Sequence, residues 1–207
     1  MISKNGFDLT IESLNRSAAE KVRLNNADYI ALDNNTEYAI RLFNDRDIIA
    51  DAEVYVDGEL VGSWRIDAHD SITIERPGDI RRKFTFFSER SSEAFEAGVE
   101  RGRDENGLIK VVFKPKKQIR YERMSPRSTG RYYASTPMAM MQSDYESGTT
   151  VLGDKSYQNF GSTRALRSDE IDWSNVTEII VRLIARRSGY RDRPRYSRIP
   201  PRIDTYY

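Results

Sequence analysis

Residues 52–66 constrain the fold of this chain more than any other stretch. They read Ala52-Glu53-Val54-Tyr55-Val56-Asp57-Gly58-Glu59-Leu60-Val61-Gly62-Ser63-Trp64-Arg65-Ile66. An Asp-Gly pair between two runs of period 2 is a strong hairpin signal, because a type I′ turn needs positive φ at both central positions. Val54 and Val56 alternate with Glu53 and Tyr55 on the outgoing strand. The return strand is expected to set Leu60, Trp64 and Ile66 on one apolar face. A two-stranded ribbon cannot stand alone in water, so that face must find a partner sheet.

The surrounding sequence supplies one. Phe7, Leu9 and Ile11 alternate with Asp8, Thr10 and Glu12, a first strand with one buried face. Residues 13–26 are polar, with a short helical possibility at Ala18-Ala19-Glu20-Lys21-Val22. Asp28 to Leu32 is a short strand closed by Asp33-Asn34-Asn35. Further strands are expected around Tyr38, Ile40 and Leu42, at Ser71 to Arg76 (ended by Pro77-Gly78), and at Lys83 to Phe87. Between Ser91 and Val99 the period changes: Ser91 suits a helix cap, and Phe95 and Val99 lie one turn apart. Leu108 to Lys114 is another strand, stopped by Pro115. Residues 115–170 hold no sustained period and read as a long irregular excursion. Val176 to Ala185 alternates again and is rich in β-branched residues, a strand returning to the sheet.

About eight strands at short spacing with one helix favour an all-β fold. The expected form is an antiparallel β-sandwich, a single jelly roll with extended arms, the immunoglobulin-like sandwich being the other leading form. The expected organisation is an N-terminal strand and arm (1–27), a core sandwich (28–114), the excursion (115–175), the returning strand (176–185) and a C-terminal arm (186–207).

Composition narrows the chemistry. The 207 residues are 38% hydrophobic and 31% charged, which suits a modest core with a large polar periphery. The chain has no cysteine, which excludes disulfides, thiolate metal sites and cysteine nucleophiles. No run approaches the ~18 apolar residues of a membrane-spanning helix, so a soluble protein without a membrane span is expected. His69 is the only histidine, so no His cluster or dyad can be built, and it reads as a solvated turn residue. Glu53, Glu59, Asp67 and Glu75 are the carboxylates that a glycosidase pair would draw on. Alternation alone places such residues on a solvated sheet face. Asp104-Glu105-Asn106-Gly107 lacks the ligand spacing of an EF-hand calcium loop. No phosphate-binding glycine motif occurs. The expectation is therefore no enzyme, no metal and no cofactor.

With 33 basic and 32 acidic residues the net charge is +1, but the basic residues are clustered. One cluster is Lys114, Lys116, Lys117, Arg120, Arg123, Arg127 and Arg131; the other runs from Arg186 and Arg187 to Arg202. Arg and Tyr interleaved in this way suit an arm laid over a neighbouring subunit, phosphate and base contacts with nucleic acid, or a solvated tail. Pro194, Pro200 and Pro201 stiffen the segment toward an extended form, which favours the arm. The candidate inter-subunit contacts are Tyr190, Arg191, Arg193, Arg195, Tyr196, Arg198, Tyr206 and Tyr207. Loops at residues 44–47 and 67–70 are the places where a sandwich of this kind would recognise a glycan or protein on a host surface.

The run from Val54 to Ile66, followed by Ser71-Ile72-Thr73-Ile74-Glu75-Arg76-Pro77 and Lys83-Phe84-Thr85-Phe86-Phe87, resembles virion-associated β-sandwich proteins of large icosahedral DNA viruses of algae and protists. Within that group it is similar to the single-jelly-roll proteins that form penton, or fivefold vertex, capsomers. The likeness covers residues 28–114; residues 115–175 match no motif of the family. The resemblance implies a structural virion protein, made in the host cytoplasm and assembled as a pentamer at a capsid vertex. Its arms would contact neighbouring subunits and the major and minor capsid proteins. A β-sandwich binding module, or a minor capsid protein touching nucleic acid, is the alternative.

Overall fold

The computed structural model describes residues 1–15, 18–24, 27–118 and 145–186. They form an all-β fold with one short α-helix. The strands are β1 (Ile2–Lys4), β2 (Phe7–Ser13), β3 (Glu20–Leu24), β4 (Ala27–Leu32), β5 (Thr36–Asn44) and β6 (Ala50–Val56). They continue with β7 (Glu59–Ile66), β8 (Ser71–Ile74), β9 (Arg82–Ser88), β10 (Leu108–Pro115), β11 (Tyr145–Lys155) and β12 (Thr177–Arg186). Helix α1 spans Ser92–Glu96, and a 3-10 turn covers Trp173–Asn175.

One sheet runs β1-β2-β5-β9-β11, with β8 sharing the edge of β5 that β9 also uses. The other runs β7-β6-β10-β12 and is extended by β4, parallel to β12, and then by β3. Strand β11 joins the two: Tyr145 to Ser147 pair with β12, and Gly148 to Lys155 pair with β9. Eight strands (β2, β5, β6, β7, β9, β10, β11 and β12) have seven residues or more and form the frame; the other four are short additions. The expected antiparallel sandwich is what forms. Within it, β2-β5-β9 on one side and β12-β10-β6-β7 on the other follow the order A-B-E and G-F-C-C′ of the immunoglobulin-like form.

The core fills the space between the sheets because alternation turns one face of each strand inward. Strand β10 alternates half-buried and buried residues along its whole length. Phe7 of one sheet stacks on Phe113 of the other at 4.5 Å between ring centroids, and Tyr38 stacks on Phe84 at 5.6 Å. Each fully buried side chain of this size contributes roughly 2 kcal/mol of transfer free energy.

The Asp57-Gly58 turn has φ of 51° and 87°, the left-handed pair a type I′ turn requires. Its return strand departs from the expected pattern. Val54 pairs with Gly62 and Tyr55 with Leu60, so Val61 is an extra residue, a β-bulge. The bulge shifts the alternation: Trp64 and Ile66 are buried as expected, but Leu60 is turned out, 56% exposed. Ser91 caps α1 by accepting from the Ala94 N–H, but Ala94 is its buried residue and Phe95 faces solvent.

Two other readings are corrected. The helical possibility at residues 18–22 gives way to β3, because Val22 and Leu24 bury on one face while Lys21 and Arg23 face out toward Asp28. The stretch 115–170, expected to be irregular throughout, contains β11. Residues 158–166 are held down by two arginines. The buried Arg76 guanidinium donates to the Gln158, Pro77 and Gly78 carbonyls and lies 4.5 Å from the Phe160 ring centroid. Arg65 donates to the Arg164 carbonyl, and the Leu166 N–H donates to Asp51, which is itself ion-paired with Arg65.

Candidate functional site

The carboxylates offered for glycoside chemistry do not converge. Glu53 on β6 is paired with Lys114 and accepts from the Tyr55 hydroxyl. Glu75 follows β8 in the opposite sheet and accepts from Ser156 Oγ. Glu59 and Asp67 lie exposed at opposite ends of β7. The Asp104–Gly107 loop already holds a cation: the buried Arg182 guanidinium donates to the Asp104 carbonyl at 2.7 Å and the Asn106 carbonyl at 2.8 Å. Among the described residues no group of three or more His, Asp or Glu side chains is arranged to hold a metal ion. No helix among them is long and apolar enough to cross a membrane.

Polar chemistry gathers instead at the two ends of the sandwich. At the hairpin-tip end, the Asp57 carboxylate accepts from the Gly107 N–H (2.7 Å), the Thr150 N–H (2.7 Å) and Thr149 Oγ1 (2.8 Å). The tip of β6 is thereby latched to β11 and to the turn before β10. Burial of that carboxyl outweighs these hydrogen bonds and the nearby Arg182 charge, raising its pKa to about 6. Next to it, Tyr38 Oη and Thr150 Oγ1 share a hydrogen bond of 2.8 Å; burial drives the phenol pKa well up. Glu89 accepts from Asn106 Nδ2 (3.0 Å) and the Gly102 N–H (3.1 Å), which pins the loop that follows α1. Arg182 completes the cluster with its Nε unpartnered, and burial lowers its pKa. Asp57 and Glu89 accept from loop and strand donors with both carboxylate oxygens, and both terminal nitrogens of Arg182 donate to loop carbonyls. The cluster fixes the end of the sandwich.

At the other end the structure brings together the two loops that the sequence offered for recognition. Asn44 Nδ2 donates to the Ile48 carbonyl at 2.7 Å and the Asp67 carbonyl at 3.0 Å, tying one loop to the other. Outside this pin, His69 (φ 57°) reaches Asp47 at 2.8 Å and Asp45 at 3.7 Å in solvent. The hydrogen bond that the ring donates to Asp47 raises the imidazole pKa, with the charges of Asp47 and Asp45 adding to it.

No family model, curated protein or solved structure matches this chain.

A third place is the corner where Tyr145, the first described residue of β11, pairs with Arg186, the last described residue of β12. Arg186 is clamped there by Asp33 (3.1 Å), Glu20 (3.1 Å) and the Ala18 carbonyl (3.0 Å). A polar cleft of about 520 Å³ opens beside it between Asp33 and Glu37, with Asp154 on the far wall. Its acids are partly spoken for: Asp33 by Arg186, and Glu37 by Lys83 at 2.8 Å. Of the basic clusters, Lys114 and Arg186 are thus engaged within the fold. The candidate contacts Tyr190, Arg191, Arg193, Arg195, Tyr196, Arg198, Tyr206 and Tyr207 lie outside the described residues, as do Arg120, Arg123, Arg127 and Arg131.

The sequence offered no hint of Arg182, Glu89 and Asn106 as a set, since they meet only through the fold. Asp57 was visible only as a turn residue; nothing local distinguishes a turn aspartate in solvent from one that latches three donors.

Proposed function

We propose that this chain is a structural assembly protein: a rigid sandwich block joined to copies of itself and to neighbouring shell proteins by long arms. In the setting that the sequence resemblance implies, it is a penton component at the vertex of a virion capsid, assembling as a pentamer. The observation that carries the reading is the pairing of Tyr145 with Arg186, which brings both long segments to one corner.

Chain length supports it. Residue 118 follows the β10 end that pairs with Thr177, at the far end of β12 from Arg186. Nine residue steps of strand separate Thr177 from Arg186, about 30 Å at ~3.3 Å per residue. The 26 residues of 119–144 reach about 86 Å at full extension. A simple crossover needs far less, and the surplus is available for a neighbour. In a closed ring each subunit uses a heterologous interface, and exchanged arms add contact area without enlarging the core. The rigid hairpin-tip end gives such arms a fixed root.

The test is electron microscopy of the purified full-length chain at concentrations that favour assembly. Closed rings of five support the penton reading. A chain that stays single and never enters particles sinks it.

A second reading, a binding module for a host-surface glycan or protein, draws on the two loops tied by Asn44. A glycan array carrying the intact chain tests it, and the absence of any specific signal would dismiss it. Nucleic-acid contact draws on the two basic clusters, of which Lys114 and Arg186 are ion-paired within the fold and most of the rest lie outside the described residues; it predicts binding that weakens steeply with salt.

A further inference from the structure

The two sheets do not close completely along the side where β1 and β2 face β3 and β4. A groove of about 180 Å³ remains there. Its floor is apolar and almost sealed from water, with Leu9 and Val181 each 1% exposed, Ile30 6% and Ile11 7%, while Thr10 and Lys21 add polar groups to its lining. Ala19 and Ile2 form the rim and are only partly covered. A cavity of ~150 Å³ lined by aliphatic side chains is enough to hold benzene, so this groove has room for one isoleucine side chain or one tyrosine ring.

Its position relates it to the C-terminal arm. Ala19 adjoins Ala18, whose carbonyl holds Arg186, so the groove opens one residue from the root of the arm. The arm's aliphatic residues, Ile199 and Ile203, begin thirteen positions beyond Arg186 and are followed by Tyr206 and Tyr207, while Tyr190 and Tyr196 lie nearer the root. Thirteen extended residues span about 43 Å. A globular chain of this length has a radius of gyration near 17 Å and is about 43 Å across. Pro194, Pro200 and Pro201 oppose the sharp fold-back that would return these residues to a groove at the arm's own root. A segment of this length is long enough to reach the groove of a neighbour one domain-width away.

We propose that the groove walled by Leu9, Ile11, Ile30 and Val181 receives an apolar side chain from residues 199–207 of a second copy of this chain. The inference rests on the arm-mediated assembly proposed above and supplies the receiving site. Successive subunits, each giving an arm and receiving one, make the heterologous contact that a ring requires.

The experiment uses three full-length chains: the native sequence, Ala19→Trp to plug the rim of the groove, and a chain with Ile199, Ile203, Tyr206 and Tyr207 replaced by Ser. Mass is followed by light scattering across a concentration series, with circular dichroism melts to establish folding. Amide exchange of the native chain is recorded over the same series. The expected result is that both altered chains need at least tenfold higher concentration to assemble while melting like the native one. Native residues 19–21 and 199–207 should gain protection together as concentration rises. If the Ser chain loses assembly but folded Ala19→Trp does not, the groove is not the receiver and the arm reading survives. If neither loses it, the arm reading falls and the groove with it. Should Ala19→Trp not fold, exchange decides: no concentration-linked protection at residues 19–21 overturns the inference. Protection that is independent of concentration in a single chain means that the arm docks on its own groove, and also overturns it.

Discussion

The two ends of the sandwich solve the same problem in opposite ways. At the hairpin-tip end, charged groups are carried into the protein: Arg182 is 5% exposed and donates to loop carbonyls, and Glu89 is 8% exposed and accepts from loop N–H groups. At the end where the loops of residues 44–47 and 67–70 meet, a neutral amide, Asn44, does the buried work, and Asp45, Asp47 and His69 stay in water. The difference matters because a buried charge that loses its partner is expensive, whereas an exposed pair is worth little either way. The first end is therefore rigid and intolerant of change. The second can vary its charges while its loops stay pinned.

The largest effect that would test this contrast is at Gly107. Its φ is +72°, and a Cβ there would sit 2.5 Å from the Leu183 carbonyl oxygen and 2.9 Å from that of Gly148. Gly107→Ala should lower stability by roughly 4 kcal/mol, from overpacking and a left-handed non-glycine residue together, as measured by urea unfolding. A loss below about 1 kcal/mol would mean that this end is more pliant than its packing implies.

Arg182→Ala comes next. It strands the Asp104 and Asn106 carbonyls and removes the cation beside Asp57, at a cost of roughly 3 kcal/mol by the same measurement.

The Asp57 carboxyl gives a pH signature of similar or smaller size. Its folded pKa, about 6, lies above the ordinary carboxylate value, so between about pH 4 and pH 6 the folded state binds more protons than the unfolded chain. Its contribution to stability therefore falls as pH rises through that window, by at most about 3 kcal/mol at ~1.4 kcal/mol per pH unit. The stability advantage of the native chain over Asp57→Asn should shrink between pH 4 and pH 7. An advantage that grows over that range would show that the buried site favours the ionised carboxylate.

At the opposite end, His69→Ala should leave the melting temperature unchanged, since the side chain is in solvent. In the native chain, the His69 ring should titrate above the ordinary imidazole range by NMR and return toward it in Asp47→Asn.

Much of the frame was legible in the sequence because period-2 alternation and turn chemistry are local. The Asp57-Gly58 turn, β2, β9, β10 and β12 all announce themselves that way. Strand β11 did not, because two of its positions need glycine for packing. A Cβ on Gly148 would lie 2.0 Å from the Phe86 ring, and one on Gly153 1.9 Å from Thr85 Oγ1. In sequence those glycines read as breaks, since glycine weakens a strand unless another group approaches closely. The bulge at Val61 was hidden for a related reason: alternation reports a strand but not an extra residue within it. The buried polar end was the least legible part, being assembled from residues 57, 89, 106, 149 and 182. Its energetics exist only once β6, β10, β11 and β12 are side by side.

The proposed assembly extends the contrast to the segments that adjoin Tyr145 and Arg186, which in that proposal carry the association of the sandwich block. The most direct measurement compares the full-length chain with one ending at Arg186, by mass from light scattering and by thermal melting in the same buffer. The prediction is a multimer for the full chain and a single chain for the shortened one, with equal melting temperatures once the full chain is diluted to monomer. A shortened chain that still assembles, or a full chain that is single at every concentration, would contradict it.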